Sequence, residues 1–300
     1  MSTNVGGPAG APALLHALVD DAAIFPPGNA PMQAAVAAHR EHAISWYADL
    51  VGPFLCSDQR LPELQEALAG TDEPLGVGLV VTGGAGAIEP ALRWAAREPR
   101  IHLRGLEVAL RSTDDLAAGA RRIASVFAAA LPDVPGFVEM PRPATAPPSA
   151  DWLAALDVLA EADCRVKYRT GGLDAGDFPS EWELAGLLEA ALDRELAVKC
   201  TAGLHRAVRH TAPATGFEEH GFLNVALATH AALDGADTAD LAALLARRDR
   251  DDVAASVRAL SSEQSASTRR WFTSFGSCSV IEPLDELVEL GLFSKEMVHG

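Results

Sequence analysis

Residues 165–201 read RVKYRTGGLDAGDFPSEWELAGLLEAALDRELAVKCT. The opening RVKYR is short enough for a strand and is followed at once by a Gly-Gly pair. In SEWELAGLLEAALD (180–193) the apolar residues recur at i, i+3, i+4 and i+7, the period of an amphipathic helix. LAVKC (196–200) is again a short apolar run. The stretch therefore predicts strand, helix, strand, with a lysine in the same place on each strand.

The same alternation continues in both directions. Further strand candidates are 17–25, 49–55, 74–81, 102–110, 135–140 and 271–275. Helical periodicity fills the gaps, as in APMQAAVAAHREH, LPELQEALA, GAIEPALRWAARE, TDDLAAGARRIASVFAAA and SADWLAALDVLAEA. Eight strands, each followed by helix, is the count of a closed α/β (β/α)8 TIM barrel, and a doubly wound open sheet is the alternative. No GxGxxG follows a strand, so the dinucleotide fingerprint is missing, and the Gly-rich GLVVTGGAGAI (78–88) lacks the Walker lysine. MPRPATAPPSA (140–150) predicts an extended loop. The stretch 202–270 is longer than one repeat needs and predicts a helical insertion between the seventh and eighth strands of a single domain spanning 1–300.

Composition narrows the partners. A net charge of −17 argues against nucleic acid and against an anionic membrane surface, because binding phosphates needs clustered positive charge. No stretch has the length and apolarity of a membrane span, and MSTNVGGPAGAPALL has no signal-peptide pattern. Cys56, Cys164, Cys200 and Cys278 are scattered without a CxxC pair, which suggests reduced thiols and a cytoplasmic location. Barrel helices offer faces for a homo-oligomer, on which the sequence is silent.

In a (β/α)8 barrel the chemistry sits at the C-terminal strand ends, and alternate side chains point inward. If Lys167 points inward, so does Arg169, while Tyr168 faces the helices. If Lys199 points inward, so does Thr201, while Cys200 faces out. Glu107 and Glu139 fall on the inner face of the fourth and fifth strands. The predicted mouth holds Glu107, Glu139, Lys167, Arg169 and Lys199, with His205 nearby.

A buried ion-pair network would account for these charges, but the choice of lysine points further. The chain has three lysines and 21 arginines. For ion pairing alone Arg serves at least as well, whereas only Lys can deprotonate to an amine nucleophile or base. Two ammonium groups on neighbouring strands repel, and with desolvation this is expected to lower one pKa. An ordinary lysine is only about 0.04% free amine at pH 7. An amine prepared in this way attacks carbonyls and forms a Schiff base.

SFGSCSVIEPLDELVELG (274–291) predicts a strand ending in Phe-Gly, a Ser-Cys-Ser turn and a helix beginning near Pro283. A Gly/Ser turn after the eighth strand is a common barrel phosphate site, with Gly276, Ser277, Cys278 and Ser279 as its candidates. A plain strand–helix turn with a serine cap is the simpler alternative.

The order VKYRTG, VKCTAGLH, FGSCS resembles the deoxyribose-phosphate aldolase group of class I aldolases. That group carries a Lys-x-x-Thr-Gly strand, a Lys-x-x-Gly-Gly strand and a Phe/Ile-Gly-x-Ser-Ser turn at similar intervals. The resemblance covers the last three strand ends. It implies that Lys167 is the Schiff-base lysine, that Lys199 lowers its pKa, and that Glu107 stands where the family has a proton-moving Asp. It places Gly203 and the 276–279 turn near a substrate anion. Arg169 departs from the pattern, where the family has a small residue, Ala202 replaces a glycine, and 205–233 has no counterpart.

The resulting expectation is a lyase that makes or breaks a C–C bond of a small anionic carbonyl substrate without a cofactor. Lys167, Lys199, Glu107 and Glu139 carry the chemistry. Arg169, Thr170, Gly171, Gly172, Thr201, Gly203, His205, Asn224 and the 276–279 turn hold the substrate. Two alternatives use the same residues. One is a non-covalent isomerase, dehydratase or metal-assisted lyase, with His205, His210, His220 and Asn224 as further ligand candidates but no HExxH or HxH pattern. The other is a barrel that binds an anion without catalysis.

Overall fold

The computed structural model describes residues 12–111, 115–130, 133–145 and 147–296. Eight parallel strands close into a barrel: β1 (Val19–Asp21), β2 (Val51–Ser57), β3 (Leu75–Val81), β4 (Ile101–Ala109), β5 (Gly136–Glu139), β6 (Arg165–Arg169), β7 (Val198–Thr201) and, last in the chain, β10 (Phe272–Ser277). Their order around the barrel is β1-β10-β7-β6-β5-β4-β3-β2. Two-residue strands β8 (His210–Thr211) and β9 (Glu218–Glu219) form a separate antiparallel pair. Helices α1 (Met32–Ala43), α2 (Leu61–Ala67), α3 (Ile88–Ala95), α4 (Leu116–Ala130), α5 (Ala150–Glu161) and α6 (Glu181–Leu192) follow the first six strands in turn. α11 (Ile281–Glu289) follows β10. The fold is the (β/α)8 barrel that the alternation predicts.

Local sequence explains where the helices start. Ser180 accepts the Glu183 N–H at 3.3 Å, and the Glu183 carboxylate takes the Ser180 N–H at 2.8 Å, a reciprocal cap on α6. Ser149 caps α5 in the simpler way, from the Trp152 N–H. The strands are buried on both faces, as parallel strands must be, with Phe54, Leu79, Leu106, Val138, Val166 and Val198 all inaccessible. Tyr168 is buried under Trp152 and donates its hydroxyl to the Leu187 carbonyl at 3.0 Å, so it does face the helices.

The long segment after β7 holds the β8–β9 pair and then α7 (Phe222–Leu233), α8 (Thr238–Leu245), α9 (Arg250–Ala259) and α10 (Ser262–Trp271). α7 packs on the barrel, with Phe222 stacked on Phe275 at 4.9 Å, and α8, α9 and α10 pack over it. Residues 222–229 are therefore buried without a break, which is why this helix is apolar all round.

Several strand boundaries differ from expectation, the second strand running Val51–Ser57 where 49–55 is expected, and those of the first and last strands bear on the site. The first strand, expected over 17–25, is only Val19–Asp21. Asp21 Oδ1 accepts the Ala23 N–H at 3.1 Å and Phe25 N–H turns back to the Ala22 carbonyl, which ends the strand. The last strand, expected to end at 275, continues to Ser277, because Gly276 and Ser277 pair with Asp20 and Asp21 of β1, and Gly276 also pairs with Thr201 of β7. Gly276 and Ser277 thus belong to the strand and not to the turn.

Candidate active site

Pairing register brings the two lysines together. Lys167 on β6 and Lys199 on β7 are direct backbone partners, and Glu139 on β5 is the partner of Lys167. Equal register and equal facing put all three side chains at one level inside the barrel. Glu107 reaches the same level from β4, beyond β5, and Asp20 reaches it from β1, beyond β10.

The contacts form one line of alternating charge. Lys199 Nζ donates to Asp20 Oδ2 at 2.5 Å and to Glu107 Oε1 at 2.5 Å. The other oxygen of Glu107 accepts from Lys167 Nζ at 2.7 Å, and Lys167 also meets Glu139 Oε2 at 2.7 Å. Glu139 Oε1 lies 3.3 Å from Arg169 Nε. Ser274 closes the inner end by donating to Asp20 Oδ2 at 2.8 Å. The Lys199 ammonium also sits 5.0 Å from the Phe137 ring centroid, a cation–π contact.

The line grades from buried to open. The side chains of Asp20, Lys199 and Glu107 are 3–4% exposed, Glu139 is 18% exposed and Arg169 52%. With all groups ionised the three carboxylates balance the three cations, which is how a barrel interior can hold charges whose separate burial would each cost several kcal/mol. Gly52 on β2 makes room for this: a Cβ there would lie 2.3 Å from Asp20 Oδ1.

The expected depression of a lysine pKa is not what this geometry produces. Burial works against both ammonium groups, but each has two carboxylates in contact, and both lysines are held above the usual lysine range. The predicted mutual repulsion is cancelled because Glu107 gives one oxygen to each. Burial by itself would push the Glu107 carboxyl up, yet the two ammonium groups hold it down at about 2. Glu139 is likewise lowered, since Lys167 and then Arg169 outweigh its burial. Asp20 goes the other way: burial outweighs its lysine partner and raises it. Asp20 is therefore the carboxylate of the line most ready to keep a proton.

Around this line the expected binding residues divide. Thr170 is buried and donates its hydroxyl to the Ala202 carbonyl, which ties the β6 and β7 ends together. Gly171 and Gly203 serve that closure, because a Cβ on Gly171 would fall 2.7 Å from the Gly203 Cα. Gly203 has φ +72°, and Ala202 beside it is held at φ +62°, where glycine would be free of strain. Gly172 lies against the Asp177 carboxylate, and Thr201 ends β7 half-buried. Ser277, the last residue of β10, donates to the Ser279 carbonyl at 2.7 Å, and Ser279 Oγ accepts the Glu282 N–H at 3.2 Å, so both hydroxyls have local partners at the strand end.

Asn224 lies elsewhere. It is fully buried, accepts the Arg209 N–H at 2.9 Å, and donates to the Leu244 and Arg247 carbonyls at 2.9 and 3.0 Å. It clasps the insertion together and is not at the mouth. His220 is also withdrawn: it contacts the Pro179 carbonyl at 2.8 Å, and burial pushes its pKa down to about 4. His210 sits 3.6 Å from Glu219. His205 alone of these histidines faces the β10–α11 turn, 3.2 Å from Glu282 Oε2. Among the described residues no group of three or more His, Cys, Asp or Glu side chains is arranged to hold a metal ion.

Asp20 is the site residue that the sequence-based expectation lacks. The available signal was an acidic pair closing the first strand, where alternation sends one carboxylate inward to Lys199 and the other, Asp21, outward to His39 Nδ1 at 2.9 Å. Compared with known proteins, the chain matches no family model and no curated protein. Among the described residues no helix is long and apolar enough to cross a membrane.

Proposed function

We propose that the chain is a lyase that makes or breaks a C–C bond of a small carbonyl substrate through a Schiff base on Lys167. The observation that carries the reading is the pair of carboxylates, Glu107 and Glu139, 2.7 Å either side of the Lys167 Nζ. An iminium has the same charge as an ammonium and keeps the nitrogen in the same place. The cradle that holds the resting lysine thus already carries the counter-charge for the cationic intermediate, whose single N–H donates to one of the two carboxylates while the other is freed to move a proton.

Lys167 is favoured over Lys199 by access. Lys199 is enclosed between Asp20, Glu107 and Phe137, whereas Lys167 faces the open end of the line through Glu139. Lys167 must lose its proton before it can attack. In water that transfer to a carboxylate costs about 8 kcal/mol, from the difference between the ordinary lysine and glutamate pKa values. A substrate that drives water from the mouth reduces this cost, because a neutral amine–acid pair is easier to keep in a dry site than two charges. Glu139 then holds the proton and returns it to the carbinolamine hydroxyl, which leaves as water. Lys199 remains charged and keeps Glu107 in place. Arg169, half exposed beside Glu139, is the cation best placed to meet an anionic group on the substrate.

A second reading has its own support. Both lysines are held protonated, which suits proton transfer and charge stabilisation without a covalent step, as in an isomerase or dehydratase. Borohydride reduction in the presence of small aldehydes and keto acids separates the two. A reduced adduct mapped to Lys167 supports the Schiff base; turnover with no trapped adduct removes it.

A further inference from the structure

The N-terminal end of the barrel faces away from the line of charge, and it carries two arginines of its own. Glu107 on β4 and Lys167 on β6 touch across the interior. Arg104 stands three residues before Glu107, and Arg165 two residues before Lys167. At the strand rise per residue, both lie about 7–10 Å below that contact, towards the strand starts.

Side-chain direction brings both into the barrel. Arg165 alternates with Lys167 and so points inward, with its guanidinium carbon 5.6 Å from the Phe137 ring centroid. Lys199 Nζ lies 5.0 Å from the same centroid, so the ring stands between Arg165 and the line above. On β3 the alternation that buries Leu75, Val77, Leu79 and Val81 against the helices leaves Gly76 on the inner face. A Cβ on Gly76 would lie 3.2 Å from Arg104 Cγ and 3.3 Å from its Nε. Arg104 is therefore laid across the inside of β3, in the space that this glycine leaves. Gly105, inward by the same alternation as Glu107, also puts no side chain into the interior. Water reaches this end: the inward Gly76, Arg165 and Ala197 are partly exposed and Arg104 is exposed, whereas Glu107, Lys167 and Lys199 above them are buried.

Among the described residues neither Arg104 nor Arg165 makes an ion pair or a hydrogen bond. Arg100, Arg194 and Arg209, also partly or fully buried, are each tied to a carboxylate. Burial lowers the pKa of the Arg165 guanidinium, and Asp163, which makes no ion pair with it, is the charge that opposes this.

We propose that Arg104 and Arg165 form a binding site for a small oxyanion, a phosphate or a carboxylate, at the N-terminal end of the barrel. A guanidinium presents a planar fork of N–H donors that matches two oxygens of such a group. Forks from β4 and β6, on either side of Phe137, grip one anion from two directions. The bound anion supplies the counter-charge that a half-buried cation otherwise lacks. The site is independent of the lyase reading, since neither arginine belongs to the charged line.

The test titrates the full chain at pH 7 with inorganic phosphate and, separately, with acetate, at constant ionic strength in chloride, by isothermal calorimetry. Whichever of the two binds names the class of the ligand. The expected result is one saturable site, weakened about tenfold or more in Arg104→Gln and in Arg165→Gln. Arg169→Gln, at the opposite mouth, is expected to keep it. Neither Arg104→Gln nor Arg165→Gln removes an ion pair or a hydrogen bond within the chain, so both should retain the wild-type circular dichroism spectrum; if one does not, the other decides. No saturable binding of either anion to the wild type, or affinity unchanged in the folded Arg104→Gln and Arg165→Gln variants, would overturn the inference.

Discussion

Lys167 and Lys199 are backbone partners on adjacent strands, and each holds one oxygen of the same carboxylate, Glu107. Like charges sit side by side here because a third residue, reaching in from β4, neutralises the space between them. Glu107 is thus the group on which the rest of the line depends.

Glu107→Gln tests that dependence. The substitution keeps shape but strips both lysines of a shared counter-charge, and leaves two buried cations each with a single carboxylate. A loss of about 3–5 kcal/mol is expected, as when one partner of a buried pair is removed. Urea unfolding of the variant measures it, and a change under 1 kcal/mol would contradict the account.

Acid titration gives the same group a second signature. Glu107 falls from its ordinary value to about 2 in the folded chain, so its stabilisation is present above about pH 4.5 and is lost as pH falls towards about 2. Its share is on the order of 3 kcal/mol. Glu139, lowered as well, acts in the same direction. The urea midpoint should therefore drop between pH 4.5 and 2, and Glu107→Gln should flatten that drop. The lysines act at the other end: with folded pKa values raised, their contribution is intact below about 10.4 and fades as pH climbs through the folded values.

Because the Lys167 proton stays within the site on Glu139 and is needed to expel water, and because Lys167 is raised, kcat/KM is expected to hold level through neutral pH and to fall only as pH climbs through the folded lysine value. Lys167→Arg should keep the fold and abolish turnover, since guanidinium holds the charge but supplies no amine. Retained turnover in Lys167→Arg would exclude the covalent route.

Asn224→Ala separates architecture from chemistry. The substitution leaves the Leu244 and Arg247 carbonyls and the Arg209 N–H without a partner in a buried place, at about 1–3 kcal/mol per group. Thermal unfolding should register the loss, while activity per folded molecule stays unchanged. A selective rise in KM would return Asn224 to the substrate.

Ala202→Gly is expected to stabilise. Ala202 sits at φ +62° next to Gly203, a region that costs a residue with a Cβ roughly 1–2 kcal/mol. Glycine removes that strain but adds freedom to the unfolded chain, so the net gain should be below about 1 kcal/mol, read from the urea midpoint.

Much of this was written in the order of residues. Strand and helix periods give the barrel, because burial on both faces of a strand and on one face of a helix leaves a pattern in the letters. Alternation along RVKYR and LAVKC puts Lys167, Arg169 and Lys199 inside, and the same rule puts Glu107 and Glu139 there. The scarcity of lysine in an arginine-rich chain singles out the two positions. The ionisation of those lysines could not be read in this way. It depends on Asp20 arriving from 179 residues away and on Glu107 dividing its oxygens, both fixed by barrel closure and register. The role of Asn224 in clasping the insertion was hidden for the same reason, since a polar residue in sequence does not reveal which backbone groups will claim it. Local pattern decides what faces inward; only closure of the barrel decides what each inward charge meets, and the electrostatic energy of a charge is set by what it meets.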